Sequence, residues 1–451
     1  MPSVPTIYSS ASVAEWQHDC SNEFPMWGCA FQSRLTSMRT LLLSFLMACS
    51  PAEIVREPPK SDTTPTTTED TLPVADTGIE VITGAGEVEE GDRTARYFDL
   101  STIHHADLTL SEAAVASLYA DPYTYVEAEL TFDDVVLQPV AVRIKGRLGS
   151  FRELSGKPAL KVDLNRYHDQ DLGGLERLNF NNMVQDSAMT HEVVAYALFN
   201  AVGVPAPRVG YVWVTINGED YGLYSHVEVY DDTWLARTYE DPTGNLYDGD
   251  YHLWPDWNYT FIDFDGHTEH LFALDEGEDV AQADLLGITA VLSAGGADPY
   301  ADLDEVVDMA LFLEMWATEA WLGHYDGYAY NDNNYRVYFD PSDGRARLHP
   351  WDPDWAFYAS TPLTNPTGEL AYACWSAPSC RQQFIATVDA VSQTAEGAGL
   401  DAILNEAAAL IADAVAADPR KEYSTASVFA AQEAQRSWIV NRDQDLTAYG
   451  L

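Results

Sequence analysis

Between residues 124 and 146, "TYVEAELTFDDVVLQPVAVRIKG", apolar and polar positions alternate on both sides of Asp133-Asp134. A period of two with an acidic turn predicts a β-hairpin. "KPALKVDL" (157–164) continues the alternation as another strand. In "THEVVAYALFNAVGV" the period changes. Val193, Val194, Ala197, Leu198 and Val202 recur at helical spacing, and Gly203 stops the run. "YVWVTINGEDYGLYSHVEVY" (211–230) predicts a second hairpin turning at Asn217-Gly218, a pair suited to the positive φ angles of a tight turn. Further on, "DEVVDMALFLEMWATEAWLG" carries an apolar helical stripe that ends at Gly323. "NYRVYF", "DPSDG" and "RARLH" then read as strand, turn and strand, and from about residue 380 the chain is helical, as in "LDAILNEAAALIADAVAA". The expected class is α+β, with a strand-rich first part and a mainly helical second part. No internal repeat is evident.

The N-terminal region follows different rules. Residues 38–49, "MRTLLLSFLMAC", set one Arg before a short apolar run and end on small Ala48 and Cys49. This is the layout of a secretory signal, and Leu46-Met47-Ala48-Cys49 resembles the lipobox of bacterial lipoproteins, which makes Cys49 the expected lipidation site. The run is too short to span a membrane; the alternative is a short buried helix. On the signal reading Met38 is the start and residues 1–37 are an upstream extension. Residues 50–95, with "PPKSDTTPTTTEDTLPVADTG", have too few apolar side chains to offset the entropy of ordering and read as a linker. The folded domain is then 96–451. The protein is expected outside the cytoplasm, held at a bacterial membrane only through its lipid.

Composition narrows the partners. With 24 Lys and Arg against 71 Asp and Glu, the formal net charge is −47. Nucleic acid and anionic membrane surfaces are repelled by such a chain, whereas high solubility, a saline or cation-rich medium, or a basic protein partner each suits it, and charge does not choose among them. Of the five cysteines, Cys20 and Cys29 fall in the extension and Cys49 in the lipobox, which leaves Cys374 and Cys380 in "CWSAPSC". A short loop with Ser, Ala and Pro lets that pair bond in an oxidising compartment. Zinc is not expected, for want of a second Cys or His pair; "HTEH" (267–270) reads as surface.

The candidate chemistry lies in "HPWDPDWAF" (349–357), where Asp352 and Asp354 sit between Trp351 and Trp355. Ionised carboxylates resist burial unless paired or bound to a metal. Upstream, "HYDGYAYNDN" follows a helix and brings Asp326 and Asn334 ahead of the hairpin that leads to Asp352. Helix, loop with Asp and Asn, hairpin and second Asp is the order used by protein kinases, where one Asp orients the acceptor hydroxyl and the other holds Mg²⁺ at the phosphates. Mg²⁺ prefers carboxylate oxygens and takes few protein ligands. A Lys from the strand-rich part must meet the phosphates: Lys157 or Lys161, which the spacing does not separate. The loop of Gly146, Arg147 and Ser150 offers backbone N–H groups to phosphate. Each residue also has a plainer reading. Asp352 can cap a turn, Asp354 can face solvent, and Asp326 can end the helix, though an acid there opposes the helix dipole. Asn331, Asp332 and Asn333 read as loop-formers, Arg143 as a partner for a surface acid, and the two Trp as packing.

The stretches "VRIKGRLGSFRELSGKPALKVDL", "VWVTINGEDYGLYSHVEVYDDTWL", "HYDGYAYNDNNYRVYFD" and "LHPWDPDWAF", in that order, resemble the CotH kinase family of spore-coat-type atypical kinases. The resemblance spans roughly residues 97–445. It implies an atypical protein-kinase-like fold that binds ATP through Mg²⁺. By motif position it makes Asp326 the catalytic Asp, Asp352 the metal-binding Asp, and Asn334 the Asn before the aromatic strand. Asn334 and Asp354 are additional candidate metal ligands. Lys157 or Lys161 stands where the family has a basic strand residue, and Glu228 where it has a Glu after the Gly-Leu-Tyr hairpin. The family's Arg-Gly-x-Ser-Ser loop is here Lys145 to Ser150, and Pro353 separates the two aspartates. The expected activity is phosphoryl transfer to a protein hydroxyl. The alternatives are a nucleotide-dependent transferase that moves AMP or drives ligation, and a non-catalytic surface or adhesion protein that keeps the fold.

One expectation about export is directly testable. Changing Cys49→Ala should move the protein from the detergent phase to a soluble fraction on phase partitioning; an intact, unmodified Met1 on the native protein would contradict the lipoprotein reading.

Overall fold

The hairpins form where the alternation placed them. A computed structural model of the chain describes residues 92–255, 258–278, 281–296 and 298–451. The leader, Cys49 and nearly all of the linker lie outside the described residues. Residues 92–95, assigned above to the linker, are instead bonded to the folded domain: the Arg208 guanidinium donates to Asp92 at 2.5 Å and to the Thr94 hydroxyl at 2.7 Å.

The first part is a closed barrel. Its strands are β1 (Ile103–Leu110), β2 (Val126–Phe132), β3 (Val135–Lys145), β4 (Ala159–Asp163), β5 (Arg177–Asn181), β6 (Val209–Ile216) and β7 (Glu219–Val227). They pair in the order β1-β2-β3-β4-β5-β7-β6, and β6 pairs with β1 in parallel to close it. Helix α1 (Glu112–Ala120) joins β1 to β2, and α2 (His191–Val202) lies between β5 and β6. Even-numbered residues of β3, β4 and β5, including Val142, Ile144, Leu160, Val162, Leu178 and Phe180, fill the barrel. Their odd-numbered neighbours therefore face outward. The expected turns are present: Asn217 and Gly218 both have positive φ, at 52° and 76°, and Gly203 ends α2 in the left-handed region with φ 104°.

The second part begins with α3 (Asp232–Thr238), β8 (Leu246–Asp248), β9 (His252–Leu253), β10 (Tyr259–Thr260) and β11 (Ala273–Glu276). Helices α4 (Ala283–Ala294), α5 (Pro299–Asp304), α6 (Met309–Leu322) and α7 (Tyr328–Asn331) follow, then the hairpin β12 (Tyr335–Phe339) and β13 (Ala346–Pro350). The chain closes with α8 (Glu369–Ser376), α9 (Pro378–Gly397), α10 (Leu400–Ala417) and α11 (Thr425–Tyr449). A small sheet runs β11-β8-β12-β13. The expected apolar stripe of α6 is in fact nearly an all-round apolar surface, because every residue from Met315 to Leu322 is buried among the surrounding elements. Cys374 and Cys380 are disulfide-bonded, with Cα atoms 5.0 Å apart, and join α8 to α9. His267 and His270 are exposed, as expected. Among the described residues no helix is long and apolar enough to cross a membrane. The architecture is α+β, strand-rich then helical, as expected.

Lys157 holds these two parts together. Its ammonium meets Asp418, just past α10, at 2.7 Å, and both side chains are out of water. Asp418 also accepts the N–H of Leu223 at 3.1 Å and of Arg420 at 2.8 Å. Gly222 is required beside it, since its φ is 96° and a Cβ would run into the Asp418 carboxylate. Arg420 in turn lies over the Tyr221 ring, 3.7 Å from its centroid. A buried pair is a weak source of net stability, but losing one partner strands the other charge. Asp418→Asn should therefore destabilise the domain by about 3–5 kcal/mol in urea unfolding; a loss under about 1 kcal/mol would mean that Lys157 finds water or another partner.

Candidate active site

One cavity of about 600 Å³ lies between the barrel and the helical part. Among its lining residues are Gly146, Arg147, Ser150, Lys161, Asp326, Asn334, Asp352 and Asp354, all expected from the sequence to share a site. Two expected residues are elsewhere. Lys157 precedes the first residue of β4 and is taken up by Asp418, so it is not available to a ligand in the cleft. Glu228 follows β7 and is held by Arg208 at 2.6 Å and Arg237 at 2.8 Å. Of the two candidate lysines, only Lys161 lines the cavity.

Lys145, at the head of the glycine loop, is a further cation of the cavity. It ends β3, its Nζ donates to the Asn181 amide oxygen, and it lies 5.6 Å above the Trp351 ring. The Asn181 Nδ2 donates onward to Glu192 at 2.6 Å and to Asp352 at 3.5 Å. One amide thus bridges a lysine at the end of a strand to a glutamate in the first turn of α2. Burial lowers the Lys145 pKa, against the pull of Asp352 and Glu192. Burial also raises Glu192 to about 8, helped by the negative charge of Asp352. The signal for Lys145 was present in the sequence: Arg143, Lys145 and Lys161 fall on one face of paired strands, with Arg143 opposite Lys161 in the register.

Asp352 follows β13 with φ 45°, a left-handed conformation that costs a non-glycine residue strain. Its N–H donates to the Tyr196 hydroxyl at 3.0 Å, from the turn of α2 after Glu192. Burial raises its pKa, while Lys145 and Arg336 draw it down. Asp354 is raised well above the ordinary carboxylate range by burial and by Asp352, and its carbonyl oxygen lies 2.8 Å from His191 Nδ1. Trp351 is buried and Trp355 is 39% exposed.

Asp326 comes from the loop after α6. Both of its oxygens accept amide hydrogens, from Asn331 at 2.5 Å and Asn334 at 3.0 Å. Burial raises it to about 6, against the Asn331 bond. Asn334, expected at a metal, thus has a bond to the catalytic candidate. A buried acid of α6 sets the loop: the Glu319 carboxylate accepts the N–H groups of Tyr328 and Ala329 at 3.1 and 3.0 Å. The glycine loop is pinned from the other side, since Arg147 donates to the Tyr251 carbonyl and the Leu148 N–H donates to the Tyr251 hydroxyl at 3.0 Å.

Among the described residues no group of three or more His, Cys, Asp or Glu is arranged to hold a metal ion. That does not conflict with Mg²⁺, which is usually held by one or two carboxylates together with substrate phosphates and water. Asp352 and Asp354, two carboxylates on the wall of one cavity, would fit such a partial donor set.

A family model described as CotH kinase protein matches residues 142–446. Inner spore coat protein H of Bacillus subtilis (strain 168) is 23% identical over 198 residues, which cover 42% of this chain and 52% of the relative. The chain thus matches about half the length of that protein. Among solved structures, a complex of HipA, HipB and operator DNA from Shewanella oneidensis MR-1 aligns over 76% of this chain and 74% of that one, at 13% identity and a TM-score of 0.26. The proinflammatory kinase CtkA of Helicobacter pylori aligns over 70% and 87%, at 9% identity and a TM-score of 0.25.

The raised pKa of Asp326 makes a stability prediction. In the fold it keeps its proton up to about 6, against an ordinary value of 3.8. The native state therefore binds more protons in that window, and the contribution of Asp326 to stability declines as pH rises from about 4 to 6. Asp326→Asn cannot ionise, so its melting temperature should rise relative to wild type across that range. A difference independent of pH would mean that Asp326 is not held as described.

Proposed function

The chain belongs to the CotH kinase protein family, and on that premise we propose that it is an ATP- and Mg²⁺-dependent kinase that phosphorylates a protein hydroxyl, lipid-anchored outside the cytoplasm. The observation that carries this reading is the convergence on one cavity of Lys145, the glycine loop, Asp352 and Asp326. Each supplies what phosphoryl transfer needs, which is positioning and charge rather than covalent chemistry. Lys145, held by Asn181, provides a positive charge for nucleotide phosphate. Gly146, Arg147, Leu148 and Ser150 of the loop line the same space. Asp352 and Asp354 would hold Mg²⁺, which when bound neutralises phosphate charge.

Asp326 is suited to the acceptor side. Its two asparagine bonds fix the carboxylate, and a pKa of about 6 leaves it ionised at neutral pH yet basic enough to take a hydroxyl proton. Beside it Tyr325, Trp355 and Tyr358 form an aromatic cluster with ring centroids 5.6 to 6.2 Å apart. Trp355 and Tyr358 are exposed and offer an acceptor chain a surface next to Asp326. A basic acceptor complements both these rings and the net charge of −47.

The two aspartates should fail differently. Asp352→Asn should weaken Mg²⁺-dependent ATP binding in calorimetry. Asp326→Asn should leave binding largely intact and lower transfer to a basic test protein roughly a hundredfold or more. In wild type, transfer should rise with pH through about 6 as Asp326 ionises. No nucleotide binding under any metal condition, or equal binding by Asp352→Asn, would overturn the reading.

A further inference from the structure

We propose that a second cavity, adjoining the cleft and roofed by arginine, is a binding site for a phosphate-class oxyanion distinct from the nucleotide site. The cavity, of about 290 Å³, is lined by Arg143, Lys161, Arg166 and Arg177 around Tyr125. Two carboxylates, Asp163 and Asp275, share the lining. In a chain where acids outnumber bases 71 to 24, a concavity with twice as many cations as carboxylates is a marked reversal.

The register builds it. Arg143 stands opposite Lys161 on β3 and β4, and Asp163 stands opposite Arg177 on β4 and β5. These odd-numbered positions face away from the barrel core, so the side chains form one outward patch. Like charges placed directly opposite in a sheet repel and destabilise the pairing. Arg166 reaches Asp163 at 3.6 Å and Arg177 reaches Glu276 at 2.7 Å. Among the described residues no carboxylate lies within ion-pair distance of Arg143 or Lys161, the pair that also lines the main cleft. Burial and the charge of Arg143 lower Lys161 to about 8, against the pull of Asp275 and Asp248.

The chemistry selects the ligand. Guanidinium groups match the oxygens of phosphate in planar, charge-assisted pairs. Two of them are held in place by one ring: Arg143 and Arg166 lie 5.3 and 4.6 Å from the Tyr125 centroid. Arg166 and Arg177 line this cavity and not the main one, which separates the sites experimentally.

The test is calorimetric titration of the whole protein with inorganic orthophosphate, and in a second arm with a phosphoserine peptide, at ionic strength fixed with chloride. Arg177→Gln and Arg166→Gln should each weaken binding roughly tenfold or more, the scale of a lost charge-assisted hydrogen bond. Lys145→Gln, at a residue that lines the main cleft and not this cavity, should weaken it less than either arginine substitution. Peptide binding tighter than orthophosphate assigns the oxyanion to a phosphorylated side chain; equal or weaker binding assigns it to a free anion. Arg166 is half exposed, so Arg166→Gln should melt like wild type and remain informative even if Arg177→Gln does not fold. Absence of binding to wild type, or binding abolished by Lys145→Gln and untouched by Arg166→Gln, would overturn the proposal.

Discussion

Burial works against the charge of Asp352, and much of the cleft can be understood as opposing that cost. Two cations oppose its desolvation, Lys145 and Arg336. Both sit over the Trp351 ring, 5.6 and 5.1 Å from its centroid. The aromatic side chain next to the aspartate is therefore not simply an apolar wall. Its π-face gathers the charges that the neighbouring carboxylate needs, which is worth most where water is excluded. Arg336 is itself anchored by Asp248 at 2.8 Å and Asp250 at 3.4 Å. The carboxylates of the cleft are thus linked through shared cations rather than simply crowded together.

That network is held by the ends of regular elements. Lys145 ends β3, Asn181 ends β5, and Glu192 and Tyr196 are one turn apart on α2. Strand ends fix a side chain more firmly than loops do, because the ladder holds the backbone up to the last residue. The loops that contribute are pinned in turn, Asp326 by two asparagines and the chain after it by Glu319. Lys157 and Asp418 tie the barrel to the end of α10 from outside the cleft. The geometry facing a ligand is therefore largely set before the ligand arrives, which is how positioning lowers a barrier.

The local pattern made the hairpins, α2 and the aspartate motifs legible in the sequence, because alternation, helical spacing and Asn-Gly turns act over a few residues. What escaped was long-range. The alternation of "IHHADLTL" carries no sign that β1 would lie parallel to β6 and close a barrel. Spacing alone does not separate Lys157 from Lys161, because it does not fix where the strand begins. It begins at Ala159, and Lys157 turns toward a carboxylate 261 residues away. Glu228 was misplaced for the same reason, its arginine partners being invisible to spacing. Glu192 and Glu319 sat within helices read for their apolar stripes, where a buried acid does not show. Lys145 could have been found by extending the face shared by Arg143 and Lys161 by two residues. The glycine after it directed attention to the loop instead.

Charge acts on two scales in this molecule. Over the whole chain the excess is −47, which repels anions and favours basic partners. Inside the main cleft, Arg143, Lys145, Arg147, Lys161 and Arg336 face Glu192, Asp248, Asp250, Asp326, Asp352 and Asp354, close to parity. A low-dielectric cleft is governed by its near charges, while distant surface charges are screened beyond about 8–10 Å at ordinary salt. An anionic ligand would therefore meet repulsion on approach and near-neutrality on arrival. A divalent cation that travels with the ligand relieves the first difficulty, and a set of carboxylates at the cleft floor then has something to hold. The charge of the exterior and the near-parity of the cleft are thus separate features, the first acting on encounter and the second on what the cleft can hold.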